Sequence, residues 1–187
     1  MRQSTAVDVS TISAHRLELV SMTPAFVGAL VGGRREEGAR LIGAELPDGW
    51  PDRHDEGFLR LRFDQMQRDP EAQQWLVRAL VLRESGAMVG HAGFHGAPGV
   101  NGPQKPGALE VGYTVFPPFR RRGYATEAVV ALMDWARAEH EIDHFIASVA
   151  PGNEPSLAIV RKLGFAQTGE QWDEENGLEL VFELEPV

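Results

Sequence analysis

Apolar positions along the chain repeat with two different periods. Leu109, Val111, Tyr113 and Val115 fall at every second position, with Glu110, Gly112, Thr114 and Phe116 between them, until Pro117-Pro118 ends the run. A period of two predicts a half-buried strand, and a proline pair removes the N–H groups that would extend it. After the turn the period changes: Ala125, Ala128, Val129, Leu132, Met133 and Ala136 recur at three- and four-residue spacing, with Glu127, Asp134 and Arg137 off the stripe. That spacing predicts an amphipathic helix laid on a sheet. Residues 144–149 predict another strand. Asn153 or Glu154 then opens a short helix with Pro155 in its first turn, and Gly164 sits where a left-handed cap is wanted.

Elsewhere the pattern predicts a first strand over residues 16–22, short helical pieces over 24–32 and 36–45, and a turn-rich loop over 46–57. A helix over 56–67 follows, with Phe58, Leu59, Phe63 and Met66 apolar. Residues 75–82 form a nearly continuous apolar run suited to a central strand. Residues 88–96 supply the next strand. Residues 97–107, rich in glycine and proline, are too broken for regular structure and long for a hairpin connection. Leu178, Leu180, Phe182 and Leu184 alternate with Glu179, Val181, Glu183 and Glu185 as a final strand.

Length and composition narrow the class. A chain of 187 residues with 43% hydrophobic and 24% charged residues suits one domain, expected over 15–187, after a flexible tail over 1–14. No apolar run approaches the roughly 20 residues needed to cross a bilayer, and the first residues lack the apolar centre of a signal peptide. The expectation is a cytoplasmic protein with no membrane partner. With no cysteine, the chain has no disulfide, no thiolate metal ligand and no cysteine nucleophile. A net charge of −9 argues against nucleic acid and would attract a cationic acceptor.

Two stretches carry candidate chemistry. Arg120-Arg121-Arg122-Gly123-Tyr124-Ala125 stands between the predicted strand and helix, so backbone N–H groups and the positive end of a helix dipole converge there. Gly123 permits a tight turn, Ala125 keeps the first helical turn slim, and Thr126 adds a hydroxyl. The site suits the phosphate of a cofactor. His140-Glu141-Ile142-Asp143-His144 satisfies the His-Glu-x-x-His zinc pattern, but the helix is expected to end before His144 and no downstream histidine completes a ligand set. No metal is expected. His91 and His95 share a strand face and would line an acceptor cleft.

Glu110-Val111-Gly112-Tyr113, then Arg-Arg-Arg-Gly-Tyr-Ala-Thr-Glu over 120–127, then Asn153, Ser156 and Lys162-Leu163-Gly164-Phe165 together resemble the GNAT superfamily of acetyl-coenzyme A-dependent N-acetyltransferases. The branch they resemble most is that of the ribosomal-protein N-terminal acetyltransferases. The resemblance implies an α/β fold with a mixed, mostly antiparallel sheet of six to seven strands flanked by helices. Its strands would splay near Val115 to admit acetyl-coenzyme A. It implies direct acetyl transfer to a primary amine, a protein N-terminus or similar. Rival readings are acetylation of a small cationic amine such as an aminoglycoside or polyamine, and a non-catalytic acyl-coenzyme A sensor.

The same resemblance distributes roles. Glu110 would be the base acting through a water, and Ser156 the acid, because the position where many members carry a tyrosine is Val160. Tyr113 and Tyr124 are the only tyrosines in the chain. The backbone from Arg121 through Arg122, Gly123, Tyr124 and Ala125 to Thr126 would hold the pyrophosphate. Side chains of Arg120, Arg121 and Arg122 would meet the 3′-phosphate or solvent. Val115 and Phe116 would offer strand edges to the pantetheine arm, and Asn153 and Ser156 would flank it. Residues 28–67 and 97–107 would choose the acceptor, and oligomeric state is left open, a homodimer included.

Overall fold

The alternation over residues 109–115 becomes a strand near the middle of an eight-stranded sheet in the computed structural model, which describes residues 9–174 and 177–185. The strands are β1 (Ile12–Ser13), β2 (Leu17–Ser21), β3 (Arg78–Leu82), β4 (Met88–Phe94), β5 (Leu109–Val115), β6 (Phe145–Val149), β7 (Ala166–Asp173) and β8 (Gly177–Leu184). They lie in the order β1-β2-β3-β4-β5-β6-β8-β7. The helices are α1 (Pro24–Val31), α2 (Arg35–Ile42), α3 (Arg53–Arg68), α4 (Tyr124–His140) and α5 (Glu154–Lys162).

Every pairing is antiparallel except β5 with β6, which is parallel and short. Those two strands pair only at Leu109 with Phe145 and Glu110 with Ile146, whereas β5 pairs with β4 from Val111 opposite Phe94 to Val115 opposite Gly90. From Val111 onward one edge of β5 is therefore open. The sheet divides there.

Helices cover both faces, which is why β3 reads as a continuous apolar run. Leu80 packs in the core beneath α4 with Leu132, Met133 and Phe145, while Ala79 and Val81 face the opposite core with Phe26, Leu30 and Leu59 of α1 and α3. At the β3–β4 crossing, a Cβ on Gly93 would stand 2.6 Å from the Leu76 carbonyl oxygen, so only glycine allows this backbone approach.

Three sequence expectations change. The sheet has eight strands instead of six or seven, because β1 and β7 are added at its two edges. An edge strand can bury little, and β7 is mostly exposed, so it carries no apolar alternation to betray it. Part of the expected tail is ordered structure: Ile12 is buried in the main core, and the Ser10 carbonyl accepts from the Arg78 guanidinium at 2.7 Å. Residues 1–8 of that tail lie outside the described residues. The strand expected from Trp75 begins at Arg78, since a 3₁₀ turn over Pro70–Gln74, capped by Asp69, occupies the approach. Among the described residues no helix is long and apolar enough to cross a membrane.

Candidate active site

The arginine–glycine loop forms a backbone cradle at the start of α4. Arg121 and Gly123 both take left-handed conformations, with φ of 60° and 81°, and Gly123 is the residue before the helix. A glycine there offers no side-chain cap, so the first helical N–H groups are left for another acceptor. Among the described residues, no protein acceptor meets the N–H groups of Arg121 to Thr126. Arg16 braces the loop from behind: its Nη1 donates to the Arg122 carbonyl at 2.9 Å, and its Nε donates to Glu127 at 2.8 Å. Its guanidinium also lies 4.6 Å over the ring of Tyr124, which is buried. Tyr124 thus supports the loop from inside with its ring, and Arg120 folds back with its Nε donating to the Val115 carbonyl at 2.9 Å.

Beside this cradle runs the open edge of β5. His95 N–H donates to the Glu110 carbonyl and Phe116 N–H to the Val89 carbonyl, so even-numbered residues of β5 bond toward β4. In an antiparallel ladder the residues between them face the other way, which turns the backbone of Val111, Tyr113 and Val115 toward the gap. The expectation that Phe116 offers a strand edge is corrected here. Its N–H is held by Val89, its carbonyl accepts from Phe119, and its ring packs 5.6 Å from Trp50 in the opposite core. Tyr113 shares the open edge with Val115 instead.

The Tyr113 hydroxyl is buried without a hydrogen-bond partner. Burial raises its pKa, and the one polar group that opposes this is the Ser156 side chain on α5. Asn153 caps α5, its Oδ1 accepting from the Ser156 N–H at 3.2 Å. Val160, two turns from the start of that helix, is buried in the core.

Glu110 stands at the point where β5 and β6 part, 1% exposed. Its carboxylate accepts from the Gly102 N–H at 2.7 Å and from the Ser148 hydroxyl, and His95 Nδ1 lies 3.2 Å away. Burial pushes its pKa up, but the bonds from His95, Ser148 and Gly102 outweigh it and hold the group at about 2. It is a fixed anion. His95 is the exposed member of the pair, and its Nε2 lies 3.0 Å from where a Cβ on Gly112 would stand.

A cavity of about 370 Å³ opens on this side of the sheet, lined in part by His95, Gly112, Tyr113, Phe58, His91 and Arg62. His91 stacks on Phe58 at 4.9 Å. Burial and then the nearby Arg62 charge drive His91 down to about 4, so it stays neutral at physiological pH. The sequence placed His91 and His95 on one face, and both line this cavity. The sequence put Arg62 and Gly102 within stretches expected to choose the acceptor without singling either out, and it gave no sign of Ser148; the three reach the site from a helix, a loop and a neighbouring strand. The loop over 97–107 is fastened through Gly102 to Glu110 and through Lys105 to Glu183 at 3.1 Å.

The two histidines of the zinc-like pattern part company. His140 ends α4 and packs 4.4 Å from Trp75 and 4.6 Å from Trp135, Glu141 is left-handed, and His144 Nε2 lies 2.9 Å from Glu183. Glu183 also accepts from Thr168 at 2.6 Å, so its carboxylate serves to pin neighbouring segments.

A family model described as an acetyltransferase (GNAT) domain matches residues 16–166. Among curated proteins, the uncharacterized N-acetyltransferase YnaD of Bacillus subtilis (strain 168) is 28% identical over 105 residues, covering 51% of this chain and 58% of that protein. The chain spans about half the length of the curated relatives it matches. A protein assigned to the GnaT-family acetyltransferases of Bordetella pertussis superposes with a TM-score of 0.69 at 23% identity, over 94% of this chain and 99% of that one. RimL, a ribosomal L7/L12 alpha-N-protein acetyltransferase in complex with coenzyme A, gives 0.61 at 19% identity, over 93% and 97%. At such identities the likeness is one of fold.

Proposed function

The chain belongs to the GNAT acetyltransferase family, and from that premise we propose that it transfers the acetyl group of acetyl-coenzyme A directly to a primary amine. The observation that carries this reading is the unpartnered N–H cradle over Arg121–Thr126, opening beside the edge where β5 leaves β6. Its backbone donors, a helix N-terminus and exposed arginines suit a pyrophosphate. The backbone of Tyr113, with the Val111 carbonyl and the Val115 N–H, suits the amides of a pantetheine arm. Acetyl-coenzyme A supplies an activated thioester.

The chain's own residues then divide the proton work. An alkyl amine attacks only when neutral, so a base must face the acceptor. Glu110 is a poor candidate for direct contact, being enclosed by donors and held at about 2. We assign it to orient His95, with Nδ1 toward the carboxylate and Nε2 toward the cavity where the amine would lie. On the other face Tyr113 and Ser156 would meet the leaving thiolate, a role open to Tyr113 because Val160 presents no hydroxyl. Within the family, the acceptor reading we adopt is the N-terminal amine of the ribosomal-protein branch or an amine of similar form.

Calorimetric titration with acetyl-coenzyme A, followed by a free-thiol assay across N-terminal peptides, amino acids, polyamines and aminoglycosides, tests the proposal. Binding with thiol release on one acceptor class is the expected result. Binding without release on any of them would favour a non-catalytic sensor, a reading that the valine at 160 supports, and no binding would end the assignment.

A further inference from the structure

Arg62 is an uncompensated cation in the wall of the acceptor-side cavity. It projects from α3, is only 9% exposed, and lines the cavity with Phe58, His91, His95 and Gly112. None of the described carboxylates lies within ion-pair distance of it. Its Nη1 donates to Gln65 Oε1 at 2.8 Å and to the His95 carbonyl at 3.2 Å, while its Nε is buried with no acceptor at all.

Burying a guanidinium without an anion is costly, and leaving one of its donors unsatisfied adds to the cost. Burial lowers its pKa to about 10, and no neighbouring carboxylate counters that shift. The group is nonetheless held in one orientation, lying 5.1 Å over the Phe58 ring, which in turn stacks on the neutral His91. Asp55, the acidic residue at the cavity, is occupied in closing the start of α3, where its carboxylate accepts from the Asp52 N–H at 3.1 Å. Arg120 adds a second cation at the same cavity. The lining thus runs opposite in sign to the whole chain, whose net charge is −9.

The geometry points to Arg62 as a carboxylate-binding residue, so that the acceptor is a primary amine carrying a carboxylate a few atoms from its nitrogen. This rests on the acetyl-transfer reading above and narrows it. Arg62 is bonded to the backbone of His95, so a carboxylate at its guanidinium and an amine at His95 Nε2 belong to one short molecule or one residue. The guanidinium's Nη1 is taken by Gln65 and the His95 carbonyl and its Nε is enclosed, which leaves Nη2, without an acceptor among the described residues, as the donor a carboxylate in the cavity would meet. The chemistry has two sources: a free amino acid, through its own carboxylate, or the first residue of a peptide, through an acidic side chain. A polyamine or aminoglycoside supplies neither and would meet Arg62 and Arg120 with like charge.

The test uses the full chain labelled with ¹⁵N-arginine. The Arg62 Nε–H resonance, identified by its disappearance in Arg62→Lys, is followed while glycine, glutamate, glycinamide, an Asp-initiated tripeptide and its Asn-initiated counterpart are added without acetyl-coenzyme A. The expected result is a saturable shift with a carboxylate probe and none with its amide. In thiol-release assays the wild type should favour the acid over its amide by about tenfold or more in kcat/KM. That preference should collapse in Arg62→Gln and partly survive in Arg62→Lys, with acetyl-coenzyme A affinity unchanged in both. Response to the free amino acids alone assigns the small-molecule source, and response to the Asp peptide alone assigns the protein source. An unmoved resonance with every carboxylate, or equal turnover of acid and amide by wild type, would overturn the inference. If no amine is acetylated, the enzyme reading falls and the resonance alone decides the site. Should Arg62→Gln fail to fold, the wild-type comparison of acid with amide still decides it.

Discussion

His95 Nδ1 lies 3.2 Å from Glu110 Oε2, and the two side chains differ sharply in exposure, 45% for the imidazole and 1% for the carboxylate. A buried anion fixing one nitrogen of an exposed imidazole leaves the other nitrogen directed outward, which is the arrangement a base needs. Replacing Glu110 with Gln should lower kcat by about 10²-fold while acetyl-coenzyme A binding changes little. His95→Gln should cost a similar amount, and the double variant little more than either alone. Steady-state kinetics on the three variants checks this, and fully additive losses would separate the two residues.

The cradle depends on backbone conformation. Gly123, at φ 81°, cannot take a Cβ without strain, so Gly123→Ala should cost about 1 kcal/mol of stability and weaken acetyl-coenzyme A binding by about tenfold. Gly86 is a fitting control: its φ is 72° and nothing lies within 4 Å of the methyl an alanine would add, so Gly86→Ala should cost similar stability and leave binding alone. Calorimetry with thermal unfolding distinguishes the two. Equal affinity in both variants would remove the loop from the cofactor site.

Tyr113 carries a buried hydroxyl without a hydrogen-bond partner, and the Ser156 side chain is the polar group that opposes the rise in its pKa, so both are our candidates for meeting the leaving thiolate. Tyr113→Phe deletes only the orphaned hydroxyl, so stability should hold or rise slightly. The predicted kinetic effect is a fall in kcat of about 10-fold or more, with Ser156→Ala smaller and non-additive. A Tyr113→Phe enzyme with full turnover would leave Ser156 as the acid.

Acid should destabilise the fold in two stages. The His91 pKa falls from 6.5 unfolded to about 4 folded, so the unfolded chain binds a proton that the folded chain does not, and stability is lost as pH drops from about 6.5. Glu110 follows: its pKa is 4.5 unfolded and about 2 folded, so its contribution, present above 4.5, fades toward pH 2. The Glu110 stage amounts to at most about 3 kcal/mol. Urea unfolding at pH 7.5, 5.5 and 3.5 should show Glu110→Gln less sensitive than wild type only in the lowest interval.

Much of this arrangement was legible in the sequence because it rests on local rules. Period-two and period-3.6 patterns marked β5, α4, α5 and β8, and the run from Arg120 to Thr126 marked the cradle, since a glycine between strand and helix leaves the same N–H groups free wherever it occurs. Placing His91 and His95 together needed only the alternation of one strand. What the sequence could not supply was partnership across distance. Edge strand β7 was invisible because its side chains are solvated on most positions, and pairing with β8 alone defines it. Phe116 looked like a continuation of the strand edge, and only the ladder to Val89 shows which way its backbone faces. Glu110 looked like a free base until burial and three donors from separate segments fixed its charge. Arg62 lay within a stretch expected to choose the acceptor but nothing singled it out, because a cation becomes informative only when packing removes its water and brings no anion in exchange.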